Sequence, residues 1–353
     1  MHVLTIVGAR PQFIKAAVVS RALQASGIQE SILHTGQHYD PGLSDVFFSE
    51  LDIPKPAVHL GVGSASHGKQ TADMLVGIEK AIQDLRPDWV LLYGDTNSTL
   101  AGALAASKLQ VPIAHVEAGL RSFNRAMPEE INRIVADQLS DLLFCPTAGS
   151  IALLKQEGIH KGVHLVGDVM YDAALFYAER SPEADVLGRF DLEKGSYALT
   201  TVHRAENTDD PARLRNILAG LSEVGRKLPL VLPLHPRTKG VMEKTGVSMP
   251  AEIRVIEPVS YLEMIALERN AAVLLTDSGG VQKEAYFYQV PCVTLRDETE
   301  WTELVDAGWN TLTGADTQRI VAATESALQG KPADHPPLYG EGDAGQKIVE
   351  LLS

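Results

Sequence analysis

Short apolar runs that stop abruptly at Gly, Asp, His or Pro, each followed by a helix-patterned stretch, constrain the architecture of this 353-residue chain more than any other feature. In the first half the runs lie at 2–7, 31–35, 89–93, 111–116, 142–145 and 163–166. In the second half they lie at 197–202, 230–234, 253–256, 272–276 and 291–295. Continuous apolar runs of this length suit strands buried on both faces, as parallel sheets covered by helices require. Amphipathic segments at 71–85 and 212–228 fall between them. Strand–helix alternation repeated twice predicts an α/β chain with two open parallel sheets, in keeping with a length of about two domains. The weakly patterned stretch 178–196 puts the junction just before it, giving domains 1–170 and 171–343. A helical stretch at 344–353, after a Pro/Gly-rich linker, is free to pack on either. Two such sheets facing each other would place a cleft at their strand C-termini, where open α/β sheets bind ligands.

Composition narrows the function classes. The net charge of −14 excludes a chain-wide nucleic-acid footprint, although a local basic pocket for a small anion is compatible with it. The two cysteines, Cys145 and Cys292, sit in apolar runs and read as buried thiols of a reducing compartment. No segment reaches the ~18 consecutive apolar residues of a membrane helix, and Met1–Gly8 reads as a strand rather than a signal peptide. A cytoplasmic protein without a membrane partner is expected.

The first strand ends in Gly8-Ala9-Arg10-Pro11, with Lys15 beyond, so two cations flank a helix N-terminus that already favours an anion. A plain strand-to-helix turn with solvated cations is the alternative. A sharper version is Thr276-Asp277-Ser278-Gly279-Gly280, where an apolar strand delivers bare N–H groups and a hydroxyl to the start of a helix. Glu284, about one turn on, can accept hydrogen bonds from a ribose diol, as acidic residues do in other nucleotide sites. His203 and His235 both follow apolar runs and have arginines beside or near them, which favours ligand contact over a purely structural role. Asp95 and Glu117 end apolar runs, and Glu129 opens a helix after Pro128. Three carboxylates converging with His203 would split into acid and base roles, whereas helix capping alone would explain Asp95 and Glu129. His34 and His38 have i,i+4 spacing but lie at a strand end without the glutamate of a zinc-protease motif, so no metal site is predicted. Neither cysteine has an activating partner, and no Gly-x-Ser-x-Gly elbow occurs.

Gly8-Ala9-Arg10-Pro11, Tyr93-Gly94-Asp95-Thr96, His115-Val116-Glu117-Ala118-Gly119-Leu120-Arg121, Pro128-Glu129-Glu130-Ile131-Asn132-Arg133, His203-Arg204 and Thr276-Asp277-Ser278-Gly279-Gly280 occur in one order over nearly the whole chain. Together they closely resemble the non-hydrolysing UDP-N-acetylglucosamine 2-epimerases. The resemblance implies a glycosyltransferase-B architecture of two Rossmann-like domains, a homodimer, and a C-terminal helix returning to the first domain. It implies cofactor-independent inversion of C2 in a UDP-sugar, through elimination of UDP to a glycal and re-addition. By motif it assigns Asp95, Glu117 and Glu129 as acid/base carboxylates with His203 assisting. Arg10, His235, Ser278, Gly279 and Gly280 would hold the diphosphate and Glu284 the ribose, with Lys15 and Arg133 in the same cleft.

The chain departs from the common members at Arg10-Pro11-Gln12, at His34-Thr35-Gly36-Gln37-His38-Tyr39-Asp40, and at Thr299-Glu300-Trp301. With Arg121-Ser122-Phe123-Asn124-Arg125, these features resemble the subgroup acting on UDP-2,3-diacetamido-2,3-dideoxy-glucuronic acid in surface-polysaccharide (O-antigen) synthesis. Arg121 or Arg125 would then meet the sugar carboxylate. The alternatives are a UDP-N-acetylglucosamine 2-epimerase, giving UDP-N-acetylmannosamine, and a glycosyltransferase or UDP-sugar sensor of the same fold. A carboxylate set weighs against the last two, because negative groups weaken simple binding of an anion.

Overall fold

A computed structural model of the chain describes residues 1–37, 51 and 53–353. It forms two compact units, residues 1–173 with 337–353, and residues 174–336. The division falls within the helix Val169–Ala178. The first unit resumes at Pro337, before the boundary at 344 that the linker composition suggested.

The first unit contains β1 (His2–Val7), β2 (Gln29–His34), β3 (Val58–His59), β4 (Trp89–Tyr93), β5 (Ile113–Val116), β6 (Leu142–Cys145) and β7 (Val163–Leu165), in the order β3-β2-β1-β4-β5-β6-β7. The second contains β8 (Ala198–Thr201), β9 (Leu230–Pro233), β10 (Ile253–Ile256), β11 (Val273–Thr276), β12 (Cys292–Thr294) and β13 (Asn310–Leu312), ordered β10-β9-β8-β11-β12-β13. Every strand pairing among the described residues is parallel. Apolar runs made the strands because both faces are covered. Val3, Leu4, Ile6 and Val7 of β1, for example, are all buried under helices. Only β3 and β13 were not anticipated, because these short strands, Val-His and Asn-Thr-Leu, carry no continuous apolar run.

Each sheet reverses its strand order once. In the first sheet β1 leads outward to β2 on one side and is joined to β4 on the other; in the second, β8 and β11 stand in the same relation. Such reversals splay the following loops apart and leave room for a ligand at the strand C-termini.

The C-terminal helix Ala344–Leu352 packs on the helix Arg10–Ala25 of the first unit. It buries Ile348, Val349 and Leu352, each contributing roughly 1.5–3 kcal/mol of apolar transfer. Its first turn is held by Asp172, whose carboxylate accepts the Gly345 N–H at 2.8 Å. A Cβ at Gly345 would come within 2.8 Å of the Val18 side chain, so glycine sets how closely the two helices approach.

Candidate active site

In the first unit the turns after β1, β4 and β5 meet at the reversal point. Gln12, buried in the first turn of its helix, ties two of them together. Its side-chain oxygen accepts the N–H groups of Gly8 and Ala9 at 2.8 and 3.1 Å, and its amide donates to the Tyr93 carbonyl at 2.7 Å. A carboxylate could not donate that last bond, which gives the Gln12 departure a structural reason. Gly8 has no room for a Cβ, which would collide with the Ser98 and Thr35 hydroxyls.

Two carboxylates stand on this base. Asp95 follows β4 and is ion-paired with Arg133 of the helix Pro128–Leu139. Glu117 follows the neighbouring β5 and is ion-paired with Lys15 of the helix Arg10–Ala25. Gly94, at φ +59°, lies between them: a Cβ there would sit 3.4 Å from the Glu117 carboxylate and 3.6 Å from the Lys15 Nζ. Glu117 itself has φ +69°, a left-handed conformation uncommon for such a side chain and often found at functional positions. Burial raises the Asp95 carboxyl above its ordinary value of 3.8, and the Glu117 charge adds to this against the Arg133 and Lys15 cations. The unit therefore holds two neighbouring carboxylates in unequal environments, each beside its own cation.

Beneath them runs a buried network that the sequence reading did not anticipate. Asp137 contacts the His115 ring at 2.8 Å, the Arg121 guanidinium at 2.7 Å and the Gly119 N–H at 3.2 Å. The other His115 nitrogen meets the Gly94 carbonyl at 2.6 Å. Although burial opposes it, hydrogen bonding to His115 and Arg121 holds the Asp137 carboxyl below its ordinary value. One buried aspartate thus fixes the turns that carry Asp95 and Glu117. No local pattern in the sequence marks Asp137 for this role, since its partners His115, Gly119 and Arg121 lie 16 to 22 residues before it.

This network also corrects one expectation. Arg121 is not placed to meet a sugar carboxylate: its side chain is 1% exposed, and its guanidinium is bound to Asp137, Glu157 and the Leu120 carbonyl. Arg125 is exposed in the loop before the helix Pro128–Leu139, and Glu129 is exposed on that helix's first turn. Its neighbour Glu130 is buried instead and accepts hydrogen bonds from Ser122 and Phe123 N–H groups, each at 2.9 Å. The Arg10 side chain, His38, Tyr39 and Asp40 lie outside the described residues.

In the second unit the turns after β8 and β11 are locked together by Asp277. This fully buried carboxylate accepts the His203 N–H at 3.0 Å, the Arg204 N–H at 2.9 Å and the Asn207 side chain at 3.2 Å. The His203 ring stacks on the ring of His235, with centroids 5.1 Å apart. Burial lowers the His203 imidazole below its ordinary value, and the Arg204 and Arg237 charges act in the same direction against Asp277. His235 caps the helix Pro236–Thr245, accepting the Arg237 N–H at 3.1 Å.

Ser278 caps the helix Gly279–Phe287, with its hydroxyl accepting the Val281 N–H at 3.4 Å. Neither Gly279 nor Gly280 has a positive φ, so their value lies in bare backbone rather than conformational freedom. A Cβ at Gly279 would stand 3.3 Å from the Trp301 Nε1 and 3.5 Å from the Arg204 Nη2. Arg204 therefore joins the group as a cation at a helix N-terminus, where anions are favoured. Lys283 lies over the Trp301 ring, with its Nζ 4.3 Å from the centroid. Glu284 is 8% exposed one turn into the same helix. The unit offers N–H groups, a hydroxyl, two imidazoles and arginine cations, a set suited to an anion.

Among the described residues no group of three or more His, Cys, Asp or Glu side chains could hold a metal ion, and no helix is long and apolar enough to cross a membrane.

With this geometry established, comparison with known proteins assigns the class. The family model of UDP-N-acetylglucosamine 2-epimerase matches residues 21–353. The chain is 53% identical to the Pseudomonas aeruginosa UDP-2,3-diacetamido-2,3-dideoxy-D-glucuronate 2-epimerase, over 100% of this chain and 99% of that protein. It is 50% identical to a UDP-N-acetylglucosamine 2-epimerase homolog of Methanococcus maripaludis, with the same coverage. The crystal structure of the Methanocaldococcus jannaschii UDP-GlcNAc 2-epimerase in complex with UDP-GlcNAc and UDP superposes with a TM-score of 0.89 at 43% identity, covering 100% of this chain and 99% of that one. The glycosyltransferase WaaG, at TM-score 0.58 and 14% identity, shares the fold alone. The chain belongs to the UDP-N-acetylglucosamine 2-epimerase family, a class of isomerases acting on UDP-sugars within a glycosyltransferase-B type of fold.

Proposed function

We propose that this enzyme inverts C2 of UDP-2,3-diacetamido-2,3-dideoxy-glucuronic acid to give the manno epimer, in the cytoplasm, as a homodimer, for surface-polysaccharide synthesis. The observation that carries the substrate is the 53% identity, over the whole chain, to the Pseudomonas aeruginosa enzyme of that name. The mechanism rests on the two neighbouring carboxylates with unequal surroundings.

The C2–H is a poor acid, so its removal must be coupled to departure of UDP from C1. That departure requires the diphosphate charge to be met by N–H groups and cations fixed in advance. Ser278, Gly279, Gly280, His235 and Arg10 would hold the diphosphate, Arg204 would add a cation, and Glu284 would accept the ribose hydroxyls. Removal and return of the proton on opposite faces need more than one acid/base group. Asp95 and Glu117 would supply them, with Glu129 the third candidate and His203 acting beside the diphosphate. Lys15 and Arg133 would hold the carboxylates in place. With Arg121 committed to Asp137, Arg125 is the cation left in its loop for the sugar carboxylate.

Proton NMR in D2O, with the two UDP-sugars offered separately, tests this reading. Loss of the H2 signal and appearance of the manno epimer from the uronic acid alone is the expected result. Turnover of UDP-N-acetylglucosamine alone would keep the mechanism and replace the substrate, in line with the 50% identical relative. No deuterium incorporation into either sugar would contradict epimerisation.

A further inference from the structure

A second pair of carboxyl groups lies behind the glycine turn of the second unit. Glu268 stands on the helix Tyr261–Asn270, which packs against the helix Gly279–Phe287 carrying Glu284. Glu268 is 1% exposed, and neither of its oxygens meets a hydrogen-bond donor among the described residues. The phenol oxygens of Tyr261 and Tyr288 are buried beside it in the same condition. All three groups feel the charge of Glu284. Tyr197 and Cys292 also face Glu268 and offer it no positive charge. The adjacent Arg269 turns its guanidinium away, to the Ala178 carbonyl at 2.5 Å.

Among the described residues no cation and no hydrogen-bonded donor meets Glu268, and a buried carboxyl so placed keeps its proton and becomes a donor. Of two carboxyls that feel each other's charge away from water, one keeps its proton, and the more deeply buried one is favoured to hold it. Glu284 is the more exposed of the pair, and its Oε2 lies 4.0 Å from where a Gly280 Cβ would stand, at the face that meets the ligand.

We propose that Glu268 is a positioning residue for Glu284: as a neutral acid it donates its proton in a hydrogen bond to the Glu284 carboxylate, leaving that carboxylate charged and fixed in orientation toward the ribose diol. The proposal rests on the reading that Glu284 accepts the ribose hydroxyls.

The test is calorimetric binding of UDP and 2′-deoxy-UDP to the full-length protein and to Glu268→Gln, Glu268→Leu and Glu284→Ala. Glu268→Leu is expected to weaken UDP by about tenfold and to narrow the preference for UDP over 2′-deoxy-UDP, because the ribose acceptor loses a contact that orients it. Glu268→Gln restores a neutral donor and should stay within about threefold of the parent. Infrared difference spectra of the parent against Glu268→Gln should show the carbonyl stretch of a protonated carboxylic acid at neutral pH. That spectrum and the Gln variant decide the matter if Glu268→Leu fails to fold. Parental UDP affinity and preference in a folded Glu268→Leu, a large loss in Glu268→Gln, or the absence of the protonated-acid band would overturn the proposal. Glu284→Ala that binds UDP normally would instead overturn the ribose reading beneath it.

Discussion

At the ends of β4 and β5 the first unit gathers charged side chains, Asp95, Glu117, Lys15 and Arg133. At the ends of β8 and β11 the second unit gathers a serine hydroxyl, glycine N–H groups, two imidazoles and arginines. Both sets occupy the reversal point of a parallel sheet, and both rest on one fully buried aspartate, Asp137 in the first unit and Asp277 in the second. The shared support is architectural, since in each unit the aspartate accepts backbone N–H groups of the turns and pins them from below. The difference lies in the chemistry presented. Carboxylates in unequal environments can exchange protons, whereas N–H groups and arginines can only stabilise an anion, and of the second set the imidazoles alone can do either.

Substitutions should separate the two units accordingly. The largest effect is expected from Glu117→Gln and Asp95→Asn, each lowering turnover by about 10²–10⁴-fold with UDP affinity nearly unchanged, measured by NMR and calorimetry. Because the Asp95 carboxyl is raised, its protonated form persists to higher pH than a free aspartate's. The acid limb of the rate profile should therefore lie above the ordinary value of 3.8 and change in Asp95→Asn. Next comes Asp277→Ala, which strands two backbone N–H groups and should lower stability by about 2–4 kcal/mol in urea unfolding while weakening UDP. Ser278→Ala should weaken UDP by about fivefold, roughly 1 kcal/mol, and leave turnover at saturation close to the parent. Arg125→Ala should reduce the preference for the uronic acid over UDP-N-acetylglucosamine by a few-fold in competition assays; unchanged preference would remove Arg125 from the sugar site.

A further effect lies away from both sites. Asp172 is raised by burial from 3.8 to about 6. Between those values the folded chain holds a proton that the unfolded chain releases, so stability falls as pH rises through that window. Asp172→Asn should therefore raise stability by about 1–2 kcal/mol at about pH 8 and leave it nearly unchanged at about pH 4, by thermal unfolding.

The strands and the site turns were legible because both are local signals. Buried parallel strands are apolar on both faces, and the turns end in the residues that a strand-to-helix reversal needs. What lay in contacts across the sheet was not legible. Gln12 stood out as a departure from the common family members and is a bridge between two turns. Arg121 looked like a ligand cation and is buried on Asp137, a contact 16 residues away in sequence that no local pattern encodes. Asp277, just before Ser278-Gly279-Gly280, carried no role in the motif and serves as the anchor of that turn. Glu268 gave no signal, being one carboxylate on an ordinary helix until its surroundings are seen.

The division of labour between the units is tested most directly by measuring deuterium exchange at C2 and the affinity for UDP on Glu117→Gln and Ser278→Ala side by side. The account predicts that exchange collapses in Glu117→Gln with UDP binding kept, and that UDP binding weakens in Ser278→Ala with exchange at saturation kept. Equal loss of both properties in either variant, or exchange surviving in Glu117→Gln, would contradict it.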